Sequence, residues 1–318
     1  MNQPTLLTID VSHGTTHDGP GMRTTVFVKG CSLRCAWCQN PESIPVKNGV
    51  WWDHTLCIGC GSCREACPSG AVVFGEKAVL IDREKCTGCL SCADACPATA
   101  MSAVGKAYDA DALFNELMKD QRYYAEFGGG VTFSGGEPLL QADFLAPFFA
   151  RLHASGVTTA LDTSGMAPKE ALAALLPETD YLLYDMKLFD REAHRRFTGQ
   201  VNDRIRENLL FAAEEMRLHG SPREIWIRTP LIPGATATDE NIRAIGTFLK
   251  ENLRDVVTRW ELCAFNAACK AKYDKLGREW AFAGCGLMTE KEVAPLRRAA
   301  EETFGAEKLI VTGMIRPE

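Results

Sequence analysis

Hydrophobic positions along the chain follow two regimes. From residue 106 onward, short apolar runs alternate with longer stretches of helical spacing. Val131-Thr132-Phe133 and residues 157–161, 181–184, 224–228 and 258–264 read as strands. Residues 143–155, 204–219 and 239–252 carry apolar side chains at intervals of three and four and read as helices. Gly156 and Gly220 stop the first two. An earlier β-branched run, Thr24-Thr25-Val26-Phe27-Val28, predicts one more strand. Repeated strand–helix alternation predicts parallel βαβ units, in an open sheet or a barrel. Polar residues and glycines gather just after the strands, at the C-terminal ends where such folds place their chemistry.

Residues 47–105 break this pattern. They are rich in Cys, Gly and Pro, with only short strand-like pieces such as residues 78–81. That composition predicts a compact module held by metal rather than by a large apolar core. The chain therefore divides into residues 1–46, with a first strand and a cysteine trio, an inserted module at 47–105, and the remaining α/β and C-terminal helical region at 106–318. A length of 318 residues with 46% hydrophobic content is enough to bury a sizeable core. A net charge of −6, with both signs mixed along the chain, gives no support to nucleic-acid binding. Residues 1–10 are too short and polar for a secretory signal, and no apolar run approaches the roughly 20 residues of a membrane helix. The expectation is a soluble cytoplasmic monomer without membrane attachment.

Cysteine changes the picture. A chain this long with 14 cysteines and no export signal points to metal or redox chemistry, not a disulfide scaffold. Cys57-x2-Cys60-x2-Cys63-x3-Cys67-Pro68 is repeated as Cys86-x2-Cys89-x2-Cys92-x3-Cys96-Pro97, the two-cluster bacterial ferredoxin run. Three close thiolates wrap one cubane if the loop is tight, and the fourth reaches the other cluster. One 4Fe–4S cluster is expected on Cys57, Cys60, Cys63 and Cys96, the other on Cys86, Cys89, Cys92 and Cys67. Structural zinc is the competing reading, which this doubled spacing disfavours. A further trio, Cys31-x3-Cys35-x2-Cys38, cannot saturate a four-iron cubane and leaves one iron open for a ligand, as catalytic metal sites do. A zinc site completed by a histidine such as His54 is the alternative there. Three cysteines remain, Cys263, Cys269 and Cys285, read as small buried hydrophobes. His13 and His17 read as loop residues near the mouth of the site.

The trio just after a first strand resembles the cluster motif of the radical S-adenosylmethionine (SAM) superfamily. The wider set resembles the glycyl-radical-enzyme activating enzymes of that superfamily: Asp18-Gly19-Pro20-Gly21-Met22-Arg23, Trp37, Asn40-Pro41-Glu42, Thr132-Phe133-Ser134-Gly135-Gly136-Glu137-Pro138, Asp162-Thr163-Ser164-Gly165, Asp185-Met186-Lys187, Thr198-Gly199 and Ile227-Arg228-Thr229-Pro230-Leu231-Ile232-Pro233-Gly234. The ordered set spans almost the whole chain, and the ferredoxin-like insertion resembles the larger members.

The resemblance implies an α/β fold, a partial (βα)6 radical SAM barrel with an inserted two-cluster ferredoxin-like domain; a closed eight-stranded barrel is the alternative. It implies three 4Fe–4S clusters, with Cys31, Cys35 and Cys38 holding the one whose open iron binds SAM. Trp37 and Gln39 would line the SAM pocket, and the Gly135-Gly136-Glu137 turn would meet its amino group. Asp162, Thr163, Asp185 and Met186 would hold a monovalent cation beside the SAM carboxylate. Lys187 and Arg228 would supply positive charge toward that carboxylate or the peptide. Asn266 stands where many relatives carry a histidine near the adenosine, and has no charge switch.

The implied reaction is oxidoreductive. One electron cleaves SAM to methionine and a 5′-deoxyadenosyl radical, which takes a Cα hydrogen from a glycine of a partner glycyl radical enzyme. Flavodoxin or ferredoxin would donate the electron, and the two ferredoxin-type clusters would relay it or dock the partner. Competing readings are a radical SAM enzyme acting on a small molecule or ribosomal peptide, and a non-catalytic iron–sulfur electron carrier. The second does not account for the trio followed by Gly-Gly-Glu and the paired strand-end aspartates.

Overall fold

The computed structural model describes residues 4–75 and 79–317. Residues 1–3 of the segment read for a signal, and residue 78 of the strand-like piece, lie outside the described residues. The strands are β1 (Leu6–Thr15), β2 (Arg23–Val28), β3 (Val50–Trp52), β4 (Val72–Phe74), β5 (Val79–Ile81), β6 (Met101–Ala103) and β7 (Lys106–Tyr108). After them come β8 (Gly130–Gly135), β9 (Thr158–Thr163), β10 (Tyr181–Asp185), β11 (Glu224–Leu231), β12 (Val257–Ala264) and β13 (Leu309–Thr312).

Nine strands form one sheet in the order β13-β12-β11-β10-β9-β8-β2-β1-β7. From β2 to β13 every pairing is parallel, whereas β1 pairs antiparallel with β2 and β7. Among the described residues β13 and β7 are not paired with each other, so the sheet is open and the eight-stranded closed barrel does not form. The six expected parallel strands are β2 and β8 to β12. The short β13 adds a seventh, and β1 and β7 extend the other edge.

The parallel strands are buried on both faces, which explains their near-continuous apolar runs. On one face, Leu182, Tyr184, Ile227, Leu161 and Phe133 belong to the main core. Phe133 meets Phe149 of the Ala142–Ala154 helix with ring centroids 5.1 Å apart. Alternate residues point the other way. There Ala160, Leu183 and Trp226, with Tyr181, form a separate apolar plug near the N-terminal ends of the strands. Two positions further along these same strands, the next residues on that face are Asp162, Asp185 and Arg228. One face thus changes from apolar to charged within a single step of the strand period.

Arg23 ties the lower end together. It is fully buried, and its Nε donates to Thr132 Oγ1 at 2.7 Å. Its Nη2 donates to Val131 O at 2.8 Å and Thr158 O at 3.1 Å. The guanidinium lies 5.5 Å from the Tyr181 ring centroid. Burial pushes its pKa down to about 10, which leaves it charged at neutral pH.

Helix ends follow the sequence signals. Gly220, at φ +72°, ends the Asp203–His219 helix. Thr238 accepts from Asn241 N at the start of Asp239–Asn252, and a Thr289/Glu292 capping box opens Glu290–Thr303. The inserted module carries two small antiparallel pairs, β3 with β6 and β4 with β5. Its core is small, with Val50, Val72, Val79 and Met101 around Cys63 and Cys92. No helix among the described residues is long and apolar enough to cross a membrane.

Replacing Arg23 by Met keeps the volume but leaves two buried main-chain carbonyls without their donor. An anaerobic urea titration is expected to show a loss of about 2–4 kcal/mol; an unchanged midpoint would remove Arg23 from this role.

Candidate functional site

A cleft enclosing about 1090 Å³, its open mouth included, lies at the C-terminal rim of the sheet. Its walls carry Cys31, Cys35 and Cys38 together with the charged residues Asp18, Asp162, Asp185, Lys187 and Arg228. Trp37, Gln39, Gly135, Gly136, Pro230 and Cys263 complete the lining named here.

The cysteine trio sits on the loop after β2. Gly30 N donates to Ser43 O at 2.7 Å and Cys31 N to Ile44 O at 3.1 Å, so the loop returns on itself. Arg34 N and Ala36 N donate to Thr198 O and Phe197 O at 2.7 and 2.9 Å, which clamps its middle. Trp37 is nearly enclosed, with the Phe197 and Phe282 rings 6.0 and 6.5 Å from its centroid. Tyr273 Oη donates to Cys38 O at 2.9 Å. Burial pushes the Cys31 thiol up to about 12 and raises Cys35 and Cys38 as well. As free groups these are thiols, and metal binding there must displace their protons.

Gly135 and Gly136 line the same cleft. Gly135 has φ +103°, and a Cβ on Gly136 would lie 2.1 Å from Gly30 O. Gly136 N donates to Val28 O and Glu137 N to Gly30 O. The turn is therefore locked against the start of the cysteine loop, and its bare backbone faces the cleft. Glu137 does not. It is fully buried and takes Leu139 N and Thr163 Oγ1 on one carboxylate oxygen and Ser164 N and Oγ on the other. Burial raises its pKa, opposed by these donors, Ser164 first. Of the turn expected to meet the SAM amino group, the two glycines line the cleft, whereas Glu137 holds the turn from behind.

The charged wall is a network. Arg228 Nη1 lies 3.3 Å from Asp162 Oδ2 and 3.8 Å from Asp18 Oδ1, and its Nε 3.4 Å from Glu261 Oε2. Lys187 pairs closely with Asp185. Burial works against the positive charge on Arg228, yet Asp162 and its neighbours hold its pKa above the usual value. For Asp162 burial dominates and raises the carboxyl to about 6, against the pull of Arg228. Ser134 Oγ donates to Asp162 Oδ2 at 2.6 Å, whereas Asp162 Oδ1 is buried without a hydrogen-bond partner among the described residues.

Other expected residues are placed differently. Thr163 is buried and its hydroxyl is committed to Glu137. Met186 is buried in the core; its main-chain N donates to Arg228 O and its O accepts from Thr229 Oγ1. Asn266 does not line the cleft: its carbonyl accepts from Gln39 Nε2 at 3.2 Å and its side chain accepts from Ala268 N. His17 contributes a carbonyl to Arg228 at 3.4 Å, and His13 pairs with Asp120 away from the cleft. Sequence reading assigned no role to Asp18, Ser134 or Glu261, and it took for a small buried hydrophobe a residue that is half-buried and lines the cleft, Cys263. The period-two pattern on β12 (259, 261, 263) was the available signal for the last two.

In the module, Cys57, Cys60, Cys63 and Cys96 ring one cavity with Trp52, Phe74 and Met101. Burial pushes the Cys92 thiol up to about 11, and the nearby Cys86 and Cys67 push the same way. The cavity thus brings together Cys57, Cys60, Cys63 and Cys96, while Cys86 and Cys67 lie near Cys92. Among the described residues no three His, Cys, Asp or Glu side chains converge on a single-ion site. Thiols spread around a cavity suit a multi-iron cluster better than one zinc ion.

Comparison with known proteins bears on this geometry. Residues 85–245 match the Radical SAM superfamily, residues 56–100 a 4Fe-4S dicluster domain and residues 17–61 a 4Fe-4S single cluster domain. The chain is 38% identical to the (2S)-3-sulfopropanediol dehydratase activating enzyme of Klebsiella oxytoca, over 87% of each chain. It is 38% identical to the trans-4-hydroxy-L-proline dehydratase activating enzyme of Clostridioides difficile, over 93% of this chain and 96% of that one. The isethionate sulfite-lyase activating enzyme of Desulfovibrio desulfuricans is 37% identical over 86% of this chain and 87% of that one. In fold, the chain is similar to a radical SAM methyltransferase from Sphaerobacter thermophilus, at 14% identity and a TM-score of 0.51, covering 95% of this chain and 71% of that one.

Glu137→Gln turns one acceptor oxygen into a donor facing donors already in place. Thermal unfolding of the cluster-free chain is expected to show a loss of about 1–3 kcal/mol; a stability equal to the parent would show that the carboxylate does not hold the turn.

Proposed function

Since the chain belongs to the radical SAM activating enzymes of glycyl radical enzymes, we propose that the rim cleft holds a 4Fe–4S cluster on Cys31, Cys35 and Cys38 with SAM on its open iron. Two more clusters would sit on Cys57, Cys60, Cys63, Cys96 and on Cys86, Cys89, Cys92, Cys67. Bound there, cluster and SAM supply the 5′-deoxyadenosyl radical that removes a Cα hydrogen from a partner's glycine. The observation that carries this reading is the pairing, in one cleft, of three half-buried thiols with a bare Gly135–Gly136 backbone and an unbalanced acidic wall.

The wall presents three carboxylates, Asp18, Asp162 and Asp185, against two cations, Lys187 and Arg228. SAM brings a sulfonium and an ammonium against one carboxylate, so its net charge complements the wall. The unpartnered Asp162 Oδ1 is the acceptor most in need of a positive group, the ammonium or a monovalent cation. Asp162 and Asp185 would hold such a cation by their side chains, Thr163 and Met186 only through main-chain atoms. Lys187 and Arg228 would orient the carboxylate of SAM. Gly135 and Gly136 let the ligand approach main-chain atoms without a Cβ. Trp37, packed between Phe197 and Phe282, keeps water from the cluster side.

The three relatives named above, at 37–38% identity, serve partners with different substrates. What they share is an activated partner enzyme, and that is what carries over to this chain. The protein would act as a monomer in the cytoplasm, reduced by flavodoxin or ferredoxin.

The test is 5′-deoxyadenosine formation by the anaerobically reconstituted, reduced protein with SAM. Cys35→Ala is expected to abolish it while keeping the iron of the two module clusters. A parent protein carrying its full iron complement that forms none, with a glycyl radical partner present, would refute the reading.

A further inference from the structure

The inserted module meets the barrel through one of its two cysteine sets. A cavity at the junction is lined by Cys86 together with Lys29, Glu42 and Arg278 from the barrel side and Lys47 and Arg83 from the module. Lys29 lies two residues before Cys31, a span of at most about 7 Å of extended chain, and Glu42 lies four residues after Cys38. Cys31 N bonds to Ile44 O at 3.1 Å, and Lys47, three residues on, donates from Nζ to Cys86 O at 2.5 Å. The loop after Cys86 is pressed onto the same segment: Gly88, at φ +75°, would place a Cβ 2.6 Å from Asn48 O. Arg83 closes the seam, donating to Val50 O at 2.6 Å and Leu276 O at 3.3 Å.

The other set is remote from this junction. The cavity ringed by Cys57, Cys60, Cys63 and Cys96 is lined only by residues between Trp52 and Met101, with none from the barrel. One cysteine of each set, Cys60 and Cys89, is exposed, but it is beside Cys60 that large apolar side chains stand in the open, with Ile58 and Leu56 70% and 48% exposed.

The junction is also strongly cationic. Lys29, Lys47, Arg83 and Arg278 line it against the single carboxylate of Glu42. Lys29 is almost fully buried, and its Nζ donates to Glu42 O at 2.6 Å. Glu42 Oε1 pairs with Lys272 at 2.7 Å, which lowers its power to offset the other cations. Positive charge beside an anionic cluster favours its reduced form and raises its potential.

Resting on the cluster assignment above, we infer that the two module clusters act in series. The set of Cys86, Cys89, Cys92 and Cys67 is the inner station, the sole source of electrons to the Cys31–Cys35–Cys38 cluster, and Lys29 and Arg83 are positioning residues that hold its potential up. The set of Cys57, Cys60, Cys63 and Cys96 is the outer station. The step is one electron from a low-potential one-electron donor protein to the outer cluster, then to the inner, then to the rim cleft. No bond is made or broken on the way.

The experiment uses the full chain with all clusters reconstituted. Reduced flavodoxin is the protein donor, titanium(III) citrate the small one, and electron paramagnetic resonance of freeze-quenched samples reports each cluster. In Cys89→Ala/Cys92→Ala, flavodoxin is expected to reduce the outer cluster and lose the ability to reduce the Cys31–Cys35–Cys38 cluster. Titanium(III), small enough to reach the cleft, is expected to restore 5′-deoxyadenosine formation. Flavodoxin reducing the rim cluster at the parental rate in this variant would overturn the order. Lys29→Met keeps all ligands, and a redox titration is expected to move the inner cluster to more negative potential and leave the outer one unchanged. No shift, or a shift of the outer cluster instead, would overturn the assignment of Lys29. Failure of the parent to cleave SAM even with titanium(III) would strike the cluster and SAM reading itself, not the order.

Discussion

Charge at the C-terminal rim is the constraint on which the site depends. Arg228 is drawn into a half-buried position by Asp162, Asp18 and Glu261, which reach it from β9, the loop before β2 and β12. None of these groups would tolerate such burial alone, because a buried ion without a partner costs several kcal/mol. Together they brace the mouth of an open sheet that has no closing strand. They also leave an acidic remainder, marked by the unpartnered Asp162 Oδ1, that a cationic ligand completes. The apolar plug of Ala160, Leu183 and Trp226 sits one strand period below and keeps this charge at the top of the sheet.

Much of this was legible in the sequence. Strand-end aspartates at 162 and 185, with glycines at 135 and 136, lie where strand–helix alternation puts them. Spacing alone also predicts crossed cysteine sets, because a tight Cys-x2-Cys-x2-Cys loop would leave its fourth cysteine one turn too far away. The less legible parts are those decided by side-chain direction. Glu137 belongs to a motif that suggests ligand contact, yet the φ +103° bend at Gly135 and the donors of Thr163 and Ser164 turn it inward. Asn266 occupies a loop whose course is fixed by a distant bond to Gln39, which no local pattern announces. Strand β13 is a four-residue edge strand, too short for periodicity to reveal.

The insertion is joined to the barrel where the chemistry is. Its link enters directly after the cysteine loop, and Gly88 packs on Asn48 with no room for a side chain. Lys275 pairs with Asp53 at 3.1 Å and Arg83 bonds to Leu276, so the short helix Lys270–Leu276 holds the module from the other side. That helix also supplies Tyr273 to Cys38 and Lys272 to Glu42. One short helix therefore positions both the module and the last thiol of the trio. A small core held by metal gains the rigidity of the barrel in return.

The central claim is that the hydrogen atom comes from a glycine of a partner protein. A partner glycyl radical enzyme labelled with deuterium at the glycine Cα positions, incubated with the reduced protein and SAM, tests it most directly. The expected result is 5′-deoxyadenosine carrying one deuterium, formed together with a Cα radical signal in the partner by electron paramagnetic resonance. Unlabelled 5′-deoxyadenosine with no radical on the partner would contradict the claim and place the chemistry on another substrate.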